Sequence, residues 1–236
     1  MRLFVLHHAG GSHVPYRNWA AYLPPDWELC LTEAPGRGHR YASPLCRTAG
    51  ELAEVWLEDL RPWTECPFAL FGHSMGGIAA FELSHLLRDR SLPLPRWVGI
   101  SGVRPPEFHI RSRQRHDLPA ARLRQAVLEM GGTPPDVLAD PGLWRLLEPV
   151  LRADLALAER WRPTDGARAL PVPMTVFAGD RDAGVPTGEL RGWEAYSTRF
   201  SGVQVLPGGH FYFQSDPAAL VSRAVRELVT ATAPRP

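Results

Sequence analysis

A chain of 236 residues with a formal charge of +1 has room for one α/β body with a substantial core. It carries neither the basic field that binds nucleic acid nor an acidic tail. All 26 of its Lys and Arg positions are arginine, which excludes Schiff-base chemistry, a P-loop lysine and a Ser–Lys dyad. Cys30, Cys46 and Cys66 are odd in number and lack C-x-x-C spacing, which fits a reducing cytoplasm and argues against a zinc site. No apolar run approaches the roughly 18 residues of a membrane span, and Met1-Arg2 leads into a strand pattern rather than a secretory leader.

Short apolar runs alternate with helical periodicity, the pattern of a mostly parallel sheet with helices on both faces. Strands are predicted at residues 3–7, 27–32, 68–71, 97–101, 174–178 and 203–206, each short enough and apolar enough to be fully buried. Helices are predicted at 16–23, 48–60, 75–88, 188–199 and 217–230. The rhythm breaks from Arg104 to about Pro163, where helical segments near 120–130, 143–152 and 154–161 replace strands. The expected organisation is therefore a body of residues 1–103 and 164–236 interrupted by a helical lid insertion at 104–163, since insertions of this size commonly cover an active site. Only the Ala-Pro-Arg-Pro tail reads as disordered.

Gly72-His73-Ser74-Met75-Gly76 lies where the third strand should end and a helix begin. A serine on such a turn is held exposed, and the flanking glycines let neighbouring backbone approach. The following helix aims its N–H groups and positive end at charge developing beside Ser74. A serine hydroxyl needs a base, and the base needs an orienting carboxylate. The chain supplies both on strand-end loops: Gly179-Asp180-Arg181-Asp182, then Pro207-Gly208-Gly209-His210. His210 is the expected base, Asp182 is preferred to Asp180 as its partner, and Asp180 is assigned a turn or surface contact. The oxyanion donors are expected to be the backbone N–H of Met75 and, from the loop His7-His8-Ala9-Gly10-Gly11-Ser12, that of Ala9. No metal or cofactor of the enzyme's own is called for.

With those residues in place, the whole chain resembles the type II thioesterases of the α/β-hydrolase superfamily, free-standing editing enzymes of polyketide and nonribosomal peptide assembly lines. The resemblance rests on Leu6-His7-His8-Ala9-Gly10-Gly11-Ser12, Ala34-Pro35-Gly36-Arg37-Gly38, the serine pentapeptide and Gly208-Gly209-His210-Phe211. More specific are segments of the insertion: Gly131-Gly132-Thr133-Pro134, Leu138-Ala139-Asp140-Pro141 and Leu151-Arg152-Ala153-Asp154. It implies hydrolysis of acyl thioesters from the phosphopantetheine arm of acyl or peptidyl carrier proteins; the chain is expected to act in trans, as a cytoplasmic monomer. Ala183 and His7 stand where the family more often has proline. Arg37 is open to two roles, meeting the arm's phosphate or bracing its loop. Arg111, Arg113, Arg115, Arg122 and Arg124 form a basic edge, open to reading as a carrier-docking patch or as a solvated face. Two alternatives are carried beside this one: a small-molecule carboxylesterase with the same triad, and a binding protein on an inactive hydrolase scaffold.

Overall fold

The computed structural model describes residues 1–111, 114–163 and 168–233. Arg113, the side chain of Arg111, residues 164–167 at the expected boundary and tail residues 234–236 lie outside the described residues. Among the described residues six strands, β1 (Arg2–Leu6), β2 (Glu28–Leu31), β3 (Phe68–His73), β4 (Val98–Ser101), β5 (Leu170–Gly179) and β6 (Ser197–Leu206), form one parallel sheet in the order β2-β1-β3-β4-β5-β6. The helices are α1 (Ala49–Leu60), α2 (Met75–Asp89), α3 (Ala120–Met130), α4 (Pro135–Ala139), α5 (Pro141–Arg160) and α6 (Pro217–Thr232).

Successive strand residues point to opposite faces, and both faces are apolar. Phe4, Leu6, Phe68, Leu70, Val98 and Ile100 pack with α1, α2 and Trp193, while Leu3, Val5, Ala69 and Phe71 pack with Tyr16, Trp19 and α6. Thr48 starts α1 by accepting a hydrogen bond from Glu51 N at 3.1 Å, as an N-cap side chain does. Between β4 and β5, helices α3 to α5 share a small core of their own around Leu123, Val127, Trp144, Leu151 and Leu155, against which Ala9 also packs.

The sheet order places the site. The chain leaves β1 toward β2 on one side, then returns to β3 on the other, so the loops after β1 and β3 diverge around a crevice at the strands' carboxyl ends. Open parallel sheets bind ligands at such a switch point.

Several elements differ from their sequence-based expectation. The expected helices at 16–23 and 188–199 are 3-10 segments, Val14–Tyr22 and Thr187–Tyr196, since apolar spacing alone does not separate the two turn types. The second ends early because Ser197 already starts β6, a ten-residue strand rather than the expected four. β5 likewise begins at Leu170, through two prolines. β4 pairs with it only from Met174 onward, so Pro171 and Pro173 occupy a stretch with one open side, where a missing N–H is tolerated. Edge strands β2 and β6 are half-exposed rather than fully buried. Finally, α5 runs unbroken from Pro141 to Arg160, through Pro149, where two helices were expected.

Leu70 is fully buried in the central strand. Leu70→Ala should cost about 2–5 kcal/mol through lost burial and an unfilled cavity. It should appear as a lower denaturant midpoint at unchanged slope; an unchanged midpoint would show that the sheet relaxes around the gap.

Candidate active site

Gly72 and Gly76 meet backbone from both sides of Ser74. A Cβ on Gly72 would lie 2.0 Å from Gly76 O, and one on Gly76 would lie 2.1 Å from Leu6 O. No side chain fits either position, so β3 passes into α2 with no intervening loop. Ser74 takes φ +55° and ψ −119°, a conformation that L-residues adopt only under constraint. Its N–H donates to Ser101 O at 2.7 Å, and its carbonyl accepts from Gly77 N and Ile78 N at 2.8 and 3.1 Å. From Phe68 to His85 every residue is buried except Ser74, which is half-exposed. Its hydroxyl makes no N-cap hydrogen bond, so the oxygen is not consumed by the helix it precedes.

Asp182 and His210 come from the loops after β5 and β6. His210 Nδ1 donates to Asp182 Oδ2 at 2.6 Å, with their side chains 19% and 5% exposed. That bond leaves Nε2 as the acceptor nitrogen of the imidazole. Burial alone would raise the Asp182 pKa, but hydrogen bonds from His210, Gly184 N–H and Val185 N–H outweigh it and hold the carboxyl below its ordinary value. The Gly184 amide reaches Asp182 Oδ1 at 2.9 Å, so the loop closes on the carboxylate with Ala183 where proline is more usual. Asp180 instead accepts from Gly208 N at 2.8 Å. Among the described residues no hydrogen bond joins Ser74 Oγ to His210; such contacts commonly tighten only when substrate binds.

In the loop after β1, Gly10 N is bound by Asp154 at 2.8 Å and Gly11 N by His8 O at 3.1 Å. Ala9 N has no partner among the described residues, and Ala9 lines the same cavity as Ser74, Asp182 and His210. The amide of Met75, in the first turn of α2, has no intrahelical acceptor by helix geometry.

The cavity holds about 580 Å³ and extends from Ser74 under the β4–β5 segment, past Val103, Phe108, Met130 and Leu155. A second hollow of about 590 Å³ lies elsewhere, between Pro67, Pro93, Pro95 and Pro171, and brings no serine and histidine together.

Several site residues carry no local sequence signal. His8 is buried, hydrogen-bonded to Tyr16 OH at 2.9 Å and edge-on to Phe211 at 4.7 Å. His73 turns away from the cavity to Ser101 Oγ at 2.8 Å, which in turn meets Tyr212 OH at 2.6 Å. Its ring still flanks that of His210 at 5.0 Å. Gly102, at φ +64°, makes room for this: a Cβ there would lie 2.7 Å from His73 Cε1 and 3.2 Å from His210 Cε1. Burial drives the pKa of His8 and His73 far down, so His210 sits among neutral rings.

Arg37 resolves to the bracing role. Its guanidinium makes a two-pronged contact with Asp154, at 2.6 and 2.9 Å, and donates to Gly11 O and Pro35 O. The Arg-Ala-Asp segment of the insertion thus has a structural use at both ends, since Arg152 binds His116 O and Leu118 O at 2.8 Å each. Gly132 of the Gly-Gly-Thr-Pro segment abuts Phe211, whose Cζ would lie 2.1 Å from an added Cβ. Of the basic edge, among the described residues, Arg115 is 3.9 Å from Glu159, Arg124 lies over the Trp144 ring at 4.9 Å and Arg122 is exposed.

The thioesterase domain family model matches residues 1–228 of the chain. Thioesterase PikA5 of Streptomyces venezuelae is 34% identical over 213 residues, covering 90% of this chain and 75% of the relative. The solved structure of ClbQ from the colibactin NRPS/PKS pathway superposes with a TM-score of 0.90 at 31% identity, over 98% of this chain and 97% of its own. YbtT, a type II thioesterase from the yersiniabactin NRPS/PKS pathway, gives 0.87 at 29% identity, over 98% and 94%. The fold shared with these neighbours is that of the α/β-hydrolases.

Two outcomes follow from this geometry. Gly76→Ala forces a methyl onto the Leu6 carbonyl, so it should lower the melting temperature and abolish activity together; a stable, active Gly76→Ala enzyme would contradict the contact. The second concerns pH. Unfolded histidines titrate near 6.5, whereas His7 and His85 resist protonation down to about 4, chiefly through burial. Between those values the unfolded chain binds protons that the folded chain does not, so stability should fall as pH falls. The expected slope is about 1.4 kcal/mol per pH unit for each such histidine. Asp182, with its depressed pKa, adds a further loss at lower pH. Thermal melts across this window test the sign, and a flat profile would refute it.

Proposed function

Since the chain belongs to the thioesterase domain family, its reaction is hydrolysis of a thioester, and we propose that Ser74, His210 and Asp182 perform it. The substrate we assign is an acyl group on the phosphopantetheine arm of an acyl or peptidyl carrier protein, in polyketide or nonribosomal peptide biosynthesis. The observation that carries this reading is the half-exposed Ser74 at φ +55°, sharing one cavity with the His210–Asp182 pair. In this scheme, clearing aberrant or stalled acyl groups returns a blocked carrier to use.

His210 Nε2 takes the Ser74 hydroxyl proton as Oγ attacks the thioester carbon. Asp182 holds the ring in the required tautomer and stabilises the imidazolium that forms. The oxyanion is met by the amides of Met75 and Ala9, helped by the positive end of α2. Collapse breaks the C–S bond, His210 returns its proton to sulfur, and the acyl group stays on Ser74 as an oxygen ester. Water, deprotonated by His210, then attacks that ester, and the proton passes back to Ser74 as the acid leaves. An alkyl thiol has a pKa close to that of cysteine, about 8.5, so the first expulsion needs little acid assistance. No step requires a metal or a cofactor of the enzyme's own; the pantetheine arrives with the substrate.

We assign the segment expected at 104–163 the role of lid, because α3 and α5 roof the cavity with Met130 and Leu155. We place the protein in the cytoplasm as a monomer that meets carrier domains transiently. Its cysteines are all free, Cys66 exposed, and no helix among the described residues is long and apolar enough to cross a membrane.

Ser74→Ala should abolish turnover of an acyl-pantetheine thioester while leaving the melting temperature near that of the parent. Asp182→Asn should lower kcat by roughly 10⁴-fold, by allowing the wrong imidazole tautomer. Matched thioester and oxygen-ester substrates decide between this reading and a carboxylesterase: a large preference for the oxygen ester would sink the thioesterase assignment, and a folded Ser74→Ala enzyme with full activity would remove Ser74 from the mechanism.

A further inference from the structure

The loop after β1 is pinned one peptide at a time, and the pins come from three separate parts of the chain. The His8 carbonyl accepts from His7 Nδ1 at 2.8 Å and from Gly11 N at 3.1 Å. In a trans peptide the N–H points opposite to the C=O, so fixing His8 O aims the Ala9 N–H. His7 is itself held from the far side, because its Nε2 accepts from Ala34 N at 3.0 Å. The next peptide is fixed by Asp154, whose Oδ2 takes Gly10 N–H at 2.8 Å while also binding Arg37 at 2.6 Å. The one after Gly11 is fixed by Arg37, which donates to Gly11 O at 3.1 Å.

Asp154 belongs to α5, in the β4–β5 segment, 117 residues from Arg37. Its neighbour on the same helix, Leu151, closes over the loop: a Cβ on Gly10 would lie 2.7 Å from Leu151 Cδ1. The two charged side chains are 10% and 9% exposed. A buried pair of this kind earns little net stability over an apolar substitute, and removing one partner strands the other. Holding a loop that carries an unpartnered amide is a use that apolar side chains could not supply.

We propose that Asp154 and Arg37 are positioning residues for the reaction, aiming the Ala9 amide at the oxyanion only while α5 is seated on the body. The inference rests on the assignment of Ser74 as nucleophile and of Ala9 as an oxyanion donor. It makes the helix that roofs the cavity part of the support of the oxyanion hole. Unseating α5 removes the acceptor from Gly10 N–H and the partner from Arg37, so the loop then loses one pin outright and the support behind another.

The test separates transition-state from ground-state effects. For Asp154→Ala, kcat on a short acyl-pantetheine thioester should fall about 10- to 100-fold while KM moves by less than about threefold, as for a weakened oxyanion donor. The affinity of an alkyl boronic acid, whose Ser74 adduct places an oxygen in the hole, should fall by the same factor. The Kd of the uncleavable amide-linked acyl-pantetheine should stay put. Asp154→Asn keeps an acceptor for Gly10 N–H and should recover part of the lost kcat. Because the single alanine variant strands a buried arginine, Arg37→Ala/Asp154→Ala is measured beside it and should lose no more kcat than Asp154→Ala alone. Folded Asp154 and double variants with parental kcat and boronate affinity, against an inactive Ser74→Ala control, would overturn this inference alone. So would a loss falling equally on the boronate and the amide-linked ligand. An active Ser74→Ala control would overturn the mechanism and this inference with it.

Discussion

Helix α2 meets the sheet at backbone-to-backbone distance. With Gly76 against the Leu6 carbonyl and Gly72 against Gly76, the strand, the turn and the first helical turn occupy a space that admits no side chain. Everything else in the site is measured from this contact. It forces Ser74 into the only orientation left, out of an otherwise buried run, and fixes where the free amides of α2 point. It also brings the end of β1 within reach, so the loop carrying Ala9 starts beside the serine. The strain at Ser74 persists because the glycines leave no room to relax it.

Beside that fixed point the protein buries a group of neutral imidazole and aromatic rings. His7, His8 and His73 are buried and kept neutral by burial, and the rings of Phe211 and Phe213 pack against His8 and His73. A charged ring at any of these positions would oppose formation of the His210 imidazolium. Neutral ones leave Asp182 as the carboxylate that meets it directly, at 2.6 Å. The same choice makes the site acid-sensitive: proteins that bury neutral imidazoles give up stability as soon as the unfolded chain can protonate them.

What the sequence disclosed, and what it hid, divides by the range of the constraint. The serine turn was legible because both steric conditions sit within two residues of Ser74. The alternation of β and α patterns was legible because each periodicity is written into consecutive residues. The start of β5 was obscured because Pro171 and Pro173 read as breakers, and only the shortness of β4 tells that one side there is open. The apolar spacing at 16–23 and 188–199 announces a helix without naming its kind, because in a short segment it suits either turn, and both are 3-10. The Asp154–Arg37 pair is another case again. Each residue sat in a segment that resembles the thioesterases, yet nothing in either segment names the other, since a contact across 117 positions leaves no pattern in a single chain. In sequence Arg37 is therefore compatible with a phosphate role or a brace, and its contact with Asp154 selects the brace.

The insertion touches the body at the loops that matter for chemistry. Gly132 sits against Phe211, the residue after the proposed base. Leu151 and Asp154 sit on Gly10, the residue after the proposed oxyanion donor. Val150 approaches Gly36, next to Arg37. A roof that only excluded water could rest anywhere on the rim of the cavity. One that rests on the residues beside the proposed base and donor ties its own position to their geometry. On the reaction proposed for carrier-bound thioesters, that coupling would be a means of discrimination. Binding energy from the larger substrate can be spent on seating the roof, and a small thioester has little to contribute to it.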